Sequence, residues 1–228
     1  MEKGNNERYF NFPINLLKGF INNTEECLEN IRDYSVYDTM LRLNIENTTC
    51  EDIAIRVAKS YYRIDYADSF NGMKLYEQIR ENYPKTGLNV SIFNDFYNNS
   101  KSEFEKVCLL SFLAIKSILQ NKNYCLITNL YWYSRVSGLA NKVSNESLIS
   151  EDLKKYFTRH YITKIKDELQ LNWGLKEYSM GVRGFYVSFN LSLKELIENV
   201  ELKKMSNRRK KLKLDKKKIL IEVLRDIK

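Results

Sequence analysis

Glycine and proline are scarce in this chain of 228 residues, at eight and two, and there is a single histidine. So few turn formers argue against an all-β or loop-rich protein and for a mainly helical one. One histidine excludes a paired-histidine metal site for single-strand nicking and a Cys2His2 zinc finger. The four cysteines, Cys27, Cys50, Cys108 and Cys125, have no C-x2-C spacing and read as reduced core residues, with no metal implied. Neither G-x-x-x-x-G-K-[ST] nor G-x-G-x-x-G occurs, so no nucleotide fingerprint is present and no cofactor is expected. No run approaches the ~18 consecutive apolar residues of a membrane span. Glu2, Glu7 and Arg8 interrupt any apolar leader. A cytoplasmic protein without a membrane partner is expected. Sixteen tyrosines leave a tyrosine nucleophile open by count, but a tyrosine recombinase also needs Arg and His residues around the phosphate that one histidine hardly supplies. Glu201-Leu202-Lys203 and Asp152-Leu153-Lys154 mimic the acid-x-Lys end of a nuclease site, yet both fall in predicted helices of a Lys/Glu-rich chain, where such triplets arise by chance. The expectation is a protein that is not an enzyme.

What the chain has is charge in one place. The formal net charge is +8, while residues 203–218 alone hold ten bases and one acid, leaving −1 for everything else. The basic pI near 9.1 is therefore a property of one short segment. Such a run, with Arg208, Arg209, Lys210 and Lys211 at its centre, suits phosphate backbones or other anionic surfaces. Beyond it, Ile219-Leu220, Val223-Leu224 and Ile227 form an amphipathic stretch that either folds back onto the body or pairs with a second copy, so a homodimer is one expectation.

Helix signals recur along the chain. Thr49 precedes Glu51 and Asp52, an N-cap with acids in the first turn. Ser100 and Glu103 give a capping-box spacing ahead of a segment that is apolar on most faces from Val107 to Leu119, which predicts a buried central helix. Thr128 caps a helix over Asn129–Val136 that ends at Gly138, and Ser192 with Glu195 starts another on Leu193, Leu196, Ile197 and Val200. Tyr131, Trp132, Tyr133 and Trp173 sit at core spacings, not on a stacking platform for single strands. Turn formers cluster at Asp65–Gly72, Pro84–Gly87 and Gly138–Ser150. The chain reads as free of internal repeats and low-complexity linkers. The division expected is an N-terminal helical part over residues 1–99, a module over 100–202, and a basic extension over 203–228 carrying a terminal amphipathic helix.

The order of elements over 151–190 carries the functional expectation. A helix predicted from Glu151 to about Leu171 holds five bases and no acid between Lys154 and Lys166. A hairpin follows, with one strand over Trp173–Tyr178, a turn at Met180–Gly184, and Phe185, Val187 and Phe189 alternating on the second strand. On the helix, Ile162, Ile165 and Leu169 share one face while His160, Thr163, Lys164 and Asp167 fall opposite, flanked by Arg159 and Lys166. From Ser100 the series of buried helix, short apolar segment, helix, basic helix and hairpin resembles the winged helix-turn-helix DNA-binding superfamily over about 100 residues. That resemblance implies a mainly α fold with a small β-hairpin wing, a third helix entering the major groove and a wing touching phosphate. It implies DNA contacts from Arg159, His160, Thr163, Lys164, Lys166, Lys176 and Arg183, joined by Arg208, Arg209, Lys210 and Lys211 of the basic run. The connection from Gly138 to Ser150 is longer than the superfamily's usual turn. The function expected is non-catalytic binding of double-stranded DNA, as a transcription regulator or replication-initiation factor of a bacterial or mobile-element genome. The alternative class is a protein-binding inhibitor or adaptor, with the module as scaffold and the basic run turned to nucleic acid.

Overall fold

The computed structural model describes residues 8–79, 83–142, 149–179 and 184–226. It is mainly helical with two small antiparallel sheets, the fold class the sequence implies. The first strand, β1 (Tyr9–Pro13), buries Phe10 and Phe12 completely and leaves Asn11 exposed. It pairs with β2 (Lys85–Asn89), setting Phe10 opposite Leu88 and Phe12 opposite Thr86. This sheet lies in the part read from sequence as helical. Its strands are short, one ends in proline and the other contains Gly87, and the pairing spans more than seventy residues, so no local pattern marks it.

Between the strands run α1 (Thr24–Arg42), α2 (Glu51–Val57), a π-helical turn over Ala58–Tyr62, and α3 (Ser69–Gln78). At α2 the N-cap position falls to Cys50, whose side chain makes no capping bond, and Thr49 instead donates to Asn47 Oδ1 at 3.3 Å. Gly72 lets α1 and α3 meet: a Cβ there would stand 2.4 Å from the Asp33 carbonyl oxygen. The Asp33 carboxylate accepts from the Asp68 backbone, Asn71 and Arg32, which fixes the start of α3. α4 (Val90–Asn98), capped by Asn89, lays Phe93 against Phe10 with ring centroids 4.7 Å apart.

The central helix is α5 (Glu103–Leu119), buried over most of Val107–Leu119 as its composition demands. Its capping box is formed by Ser102 and Glu105, two residues later than the expected Ser100 and Glu103. The spacing is the same, and the shift frees the Glu103 carboxylate to face Lys155 and Tyr156. Then come β3 (Cys125–Ile127), α6 (Asn129–Val136) capped by Thr128, α7 (Glu151–Lys154), a 3-10 turn over Lys155–Phe157, α8 (Arg159–Asn172), β4 (Lys176–Ser179), β5 (Phe185–Ser188) and α9 (Leu193–Asp226). The last three strands form an antiparallel sheet in the order β3-β5-β4, with Cys125 opposite Val187 and Lys176 opposite Ser188. One hydrophobic cluster runs from Phe10 in β1 through Leu88, Leu113 and Trp132 to Leu169 and Val187. Thr86 Oγ1 donates to the Leu113 carbonyl at 3.0 Å, tying the first sheet to α5. Trp132 and Tyr133 are buried, and Trp173 packs on Phe112 with centroids 4.7 Å apart, so these rings serve the core.

The single helix expected from Glu151 to Leu171 is broken at Thr158, whose backbone is extended (φ −76, ψ 153). The reason lies in the apolar pattern. On one straight helix Leu153, Tyr156 and Phe157 would lie roughly 160° from Ile162, Ile165 and Leu169. The break lets both sets turn inward: Phe157 stacks on Tyr133 at 3.9 Å, while Ile165 and Leu169 are buried from α8. Among the described residues no helix is long and apolar enough to cross a membrane.

Candidate nucleic-acid interface

α8 presents an outer face of exposed Arg159, His160, Thr163, Lys164 and Asp167 over the buried Ile165 and Leu169 and the half-buried Ile162. Thr163 Oγ1 donates to the Arg159 carbonyl at 3.1 Å, and His160 stands edge-on to Tyr161. The five bases between Lys154 and Lys166 differ in how free they are. Lys154 is paired with Glu151, and Lys155 with Glu103 at 2.5 Å. Lys155 is pushed above the usual lysine range by its hydrogen bond to Glu103, whose own carboxyl is held low chiefly by that same bond. Lys166 is largely enclosed: its ammonium sits 2.6 Å from Glu177 Oε1 and 3.4 Å from the centroid of Phe185. Three of the five charges are thus offset by Glu151, Glu103 and Glu177. Arg159 and Lys164 remain as outward cations without an ion pair among the described residues.

The hairpin places Lys176 half-buried on β4. Arg183 lies outside the described residues, as does the hairpin turn apart from Gly184. Gly184 has φ +115, and a Cβ there would meet the Ile127 carbonyl oxygen at 2.3 Å, so a close approach of β3 fixes that end of the turn.

α9 is where the charge is exposed. Ser192 and Glu195 form its expected capping box, and Glu195 is held below the usual carboxylate range by bonds from the Ser192 hydroxyl and backbone. Its first turns dock on the second sheet. Leu196 and Val200 are buried, Tyr178 donates to Glu201 at 3.2 Å, and Tyr124 donates to the Asn199 carbonyl. From Leu202 to Leu214 every residue is exposed, so the helix has left the body. Arg208, Arg209, Lys210 and Lys211 all lie in that stretch and have no ion pair among the described residues. Residues 203–218 rise about 24 Å as a helix, roughly seven base pairs of duplex at 3.4 Å each. Like charges four apart, such as Lys204 with Arg208 and Arg209 with Lys213, repel one another, so a polyanion alongside would relieve a strain built into the sequence.

Burial pushes the thiols of Cys27 and Cys125 up to about 11 and that of Cys108 to about 12, and all four cysteines are free. Those three are therefore neutral thiols near pH 7, poor nucleophiles and poor metal ligands. Among the described residues no three His, Cys, Asp or Glu side chains are grouped to hold a metal ion. Glu103 and Glu177, which decide how much charge α8 displays, are the residues sequence reasoning missed. Each is 11 or more residues from its lysine, beyond any helical spacing signal. Comparison with protein-family models, curated proteins and solved structures finds no match for this chain.

Proposed function

We propose that this chain binds double-stranded DNA without acting on it chemically, with α9 as the electrostatic anchor and the outer face of α8 as the sequence reader. The observation that carries the reading is the exposed helical stretch from Leu202 to Leu214, whose bases form no ion pair among the described residues except Lys204 with Glu201 of the same helix. Support for the reader comes from element order: α5, β3, α6 and α8 precede a hairpin whose second strand lies between its first and β3. This is the order in which a winged helix supports a major-groove helix and a wing. Arg159, Thr163 and Lys164 then face base edges or phosphates, while Lys166 works as an internal strut under the hairpin. A regulatory or replication-initiation role in a bacterial or mobile-element genome fits such a module.

The neutralisation of Lys154, Lys155 and Lys166 favours one second reading, an adaptor whose body is scaffold and whose α9 alone meets nucleic acid. Selection from a random duplex pool separates the two. Under the first reading it yields a consensus, and replacing Thr163 and Lys164 together by Ala costs roughly 1–3 kcal/mol of discrimination per lost base contact. Enrichment of no sequence, with tight binding retained, would leave the adaptor.

A further inference from the structure

We infer that α9 pairs with α9 of a second copy as an antiparallel coiled coil, centred between Arg209 and Lys213. The inference starts from a seven-residue repeat inside the basic run. Lys203-Lys204-Met205, Lys210-Lys211-Leu212 and Lys217-Lys218-Ile219 are three copies of Lys-Lys-apolar at intervals of seven. A repeat of that length on a helix keeps one seam facing a partner. Alternating steps of three and four give the seam Leu202, Met205, Arg209, Leu212, Lys216, Ile219 and Val223, apolar at five of seven places.

From Leu202 to Lys216 the seam is unoccupied by the body. Leu202, Met205 and Leu212 are 61%, 51% and 53% exposed on a helix whose backbone is continuous to Asp226. At 100° per residue they lie about 180° around the helix from Leu196 and Val200, which dock on the sheet. The lysine pairs fall on the docking side. A partner on the seam therefore covers apolar residues and leaves Lys203, Lys204, Lys210 and Lys211 outward.

Charge selects the occupant and its direction. A parallel copy would face Arg209 with Arg209 and Lys216 with Lys216. An antiparallel copy sets Arg209 beside Leu212 of the second copy and Lys216 beside Met205, so each cation lays its stem along an apolar neighbour. The same register brings Arg208 next to Asp215 of the second copy, twice by symmetry, and Asp215 is the one acid in residues 203–218. The remaining lysines still repel across the pair. Self-association is thus weak at low salt and strengthens as the Debye length falls from about 10 Å at 0.1 M to about 3 Å at 1 M. Binding to duplex DNA weakens over the same range, so the two behaviours fail independently.

Sedimentation equilibrium of the full chain without nucleic acid, at both salt concentrations, is the test. The expected result is a monomer–dimer equilibrium that tightens at high salt. Leu212→Lys, at an exposed position, weakens it about tenfold or more, while Arg208→Asp and Asp215→Arg each weaken it and the double variant restores it. Spin labels at Glu198→Cys, with Cys50→Ser and Cys125→Ser, should lie about 37 Å apart along the paired axis. A monomer at both salts, no rescue by the double charge swap, or labels within about 20 Å as in a parallel pair would overturn the inference.

Discussion

At the scale of single residues, the informative side chains are those that look like surface charges in the sequence and serve the interior in the structure. Lys166 reads as a flank of a DNA-facing helix, yet it is held between Glu177 and the ring of Phe185. Removing it strands a largely enclosed carboxylate whose second oxygen already lacks a hydrogen bond. Lys166→Ala should therefore lower stability by about 2–4 kcal/mol, seen in urea unfolding, while duplex affinity of the folded protein stays near wild type. Loss of affinity with unchanged stability would return Lys166 to the interface. Gly72 is the second such position: Gly72→Ala drives a Cβ against the α1 backbone and should cost about 1–3 kcal/mol, read as a lower Tm. Glu105 and Glu195, both drawn below their ordinary value of 4.5 by capping bonds, make stability depend on pH. A carboxyl depressed in the folded state contributes above its unfolded value and loses that contribution as pH falls through the folded one. Unfolding temperature should thus drop as pH is lowered through and below 4.5, and Glu105→Gln with Glu195→Gln should flatten that drop.

At the scale of elements, local chemistry was legible wherever the signal is local. The central helix, the caps at Thr128 and Ser192, the alternation of Phe185 and Val187, and the exposed face of α8 all follow from spacing within a few residues. What the sequence hid depends on distance or on competition between equal patterns. The β1–β2 pairing joins segments more than seventy residues apart. Ser100 and Ser102 offer the same capping spacing, and the structure uses Ser102. The break at Thr158 comes from two apolar faces that one helix cannot bury together, a conflict visible only when both sets are assigned to the core. The heptad in α9 was masked by its own charge, because a run of lysines reads as a solvated tail until its helical continuity is known. The candidate reader was half legible: Arg159, Thr163 and Lys164 stand where the pattern placed them, but the acids opposite Lys155 and Lys166 come from other elements.

At the scale of the whole molecule, the body and α9 have different electrical characters. The formal charge outside residues 203–218 sums to −1, and three of the five bases between Lys154 and Lys166 are matched by Glu151, Glu103 and Glu177. Under the proposed reading, long-range attraction to a polyanion then comes from α9, with α8 acting only after contact. The central claim is that this helix supplies the phosphate contacts. It is tested most directly by the slope of log K against log[salt] for a random duplex, compared between the wild-type chain and the full-length variant with Lys203, Lys204, Lys210 and Lys211 replaced by Gln. These four face away from the proposed pairing seam, so their loss leaves its apolar contacts in place and only lessens the repulsion across the pair. If each engages a phosphate, the slope should become shallower by about 3–4 units, with affinity falling in proportion at low salt. An unchanged slope and affinity would contradict the account and leave α9 facing a partner other than DNA.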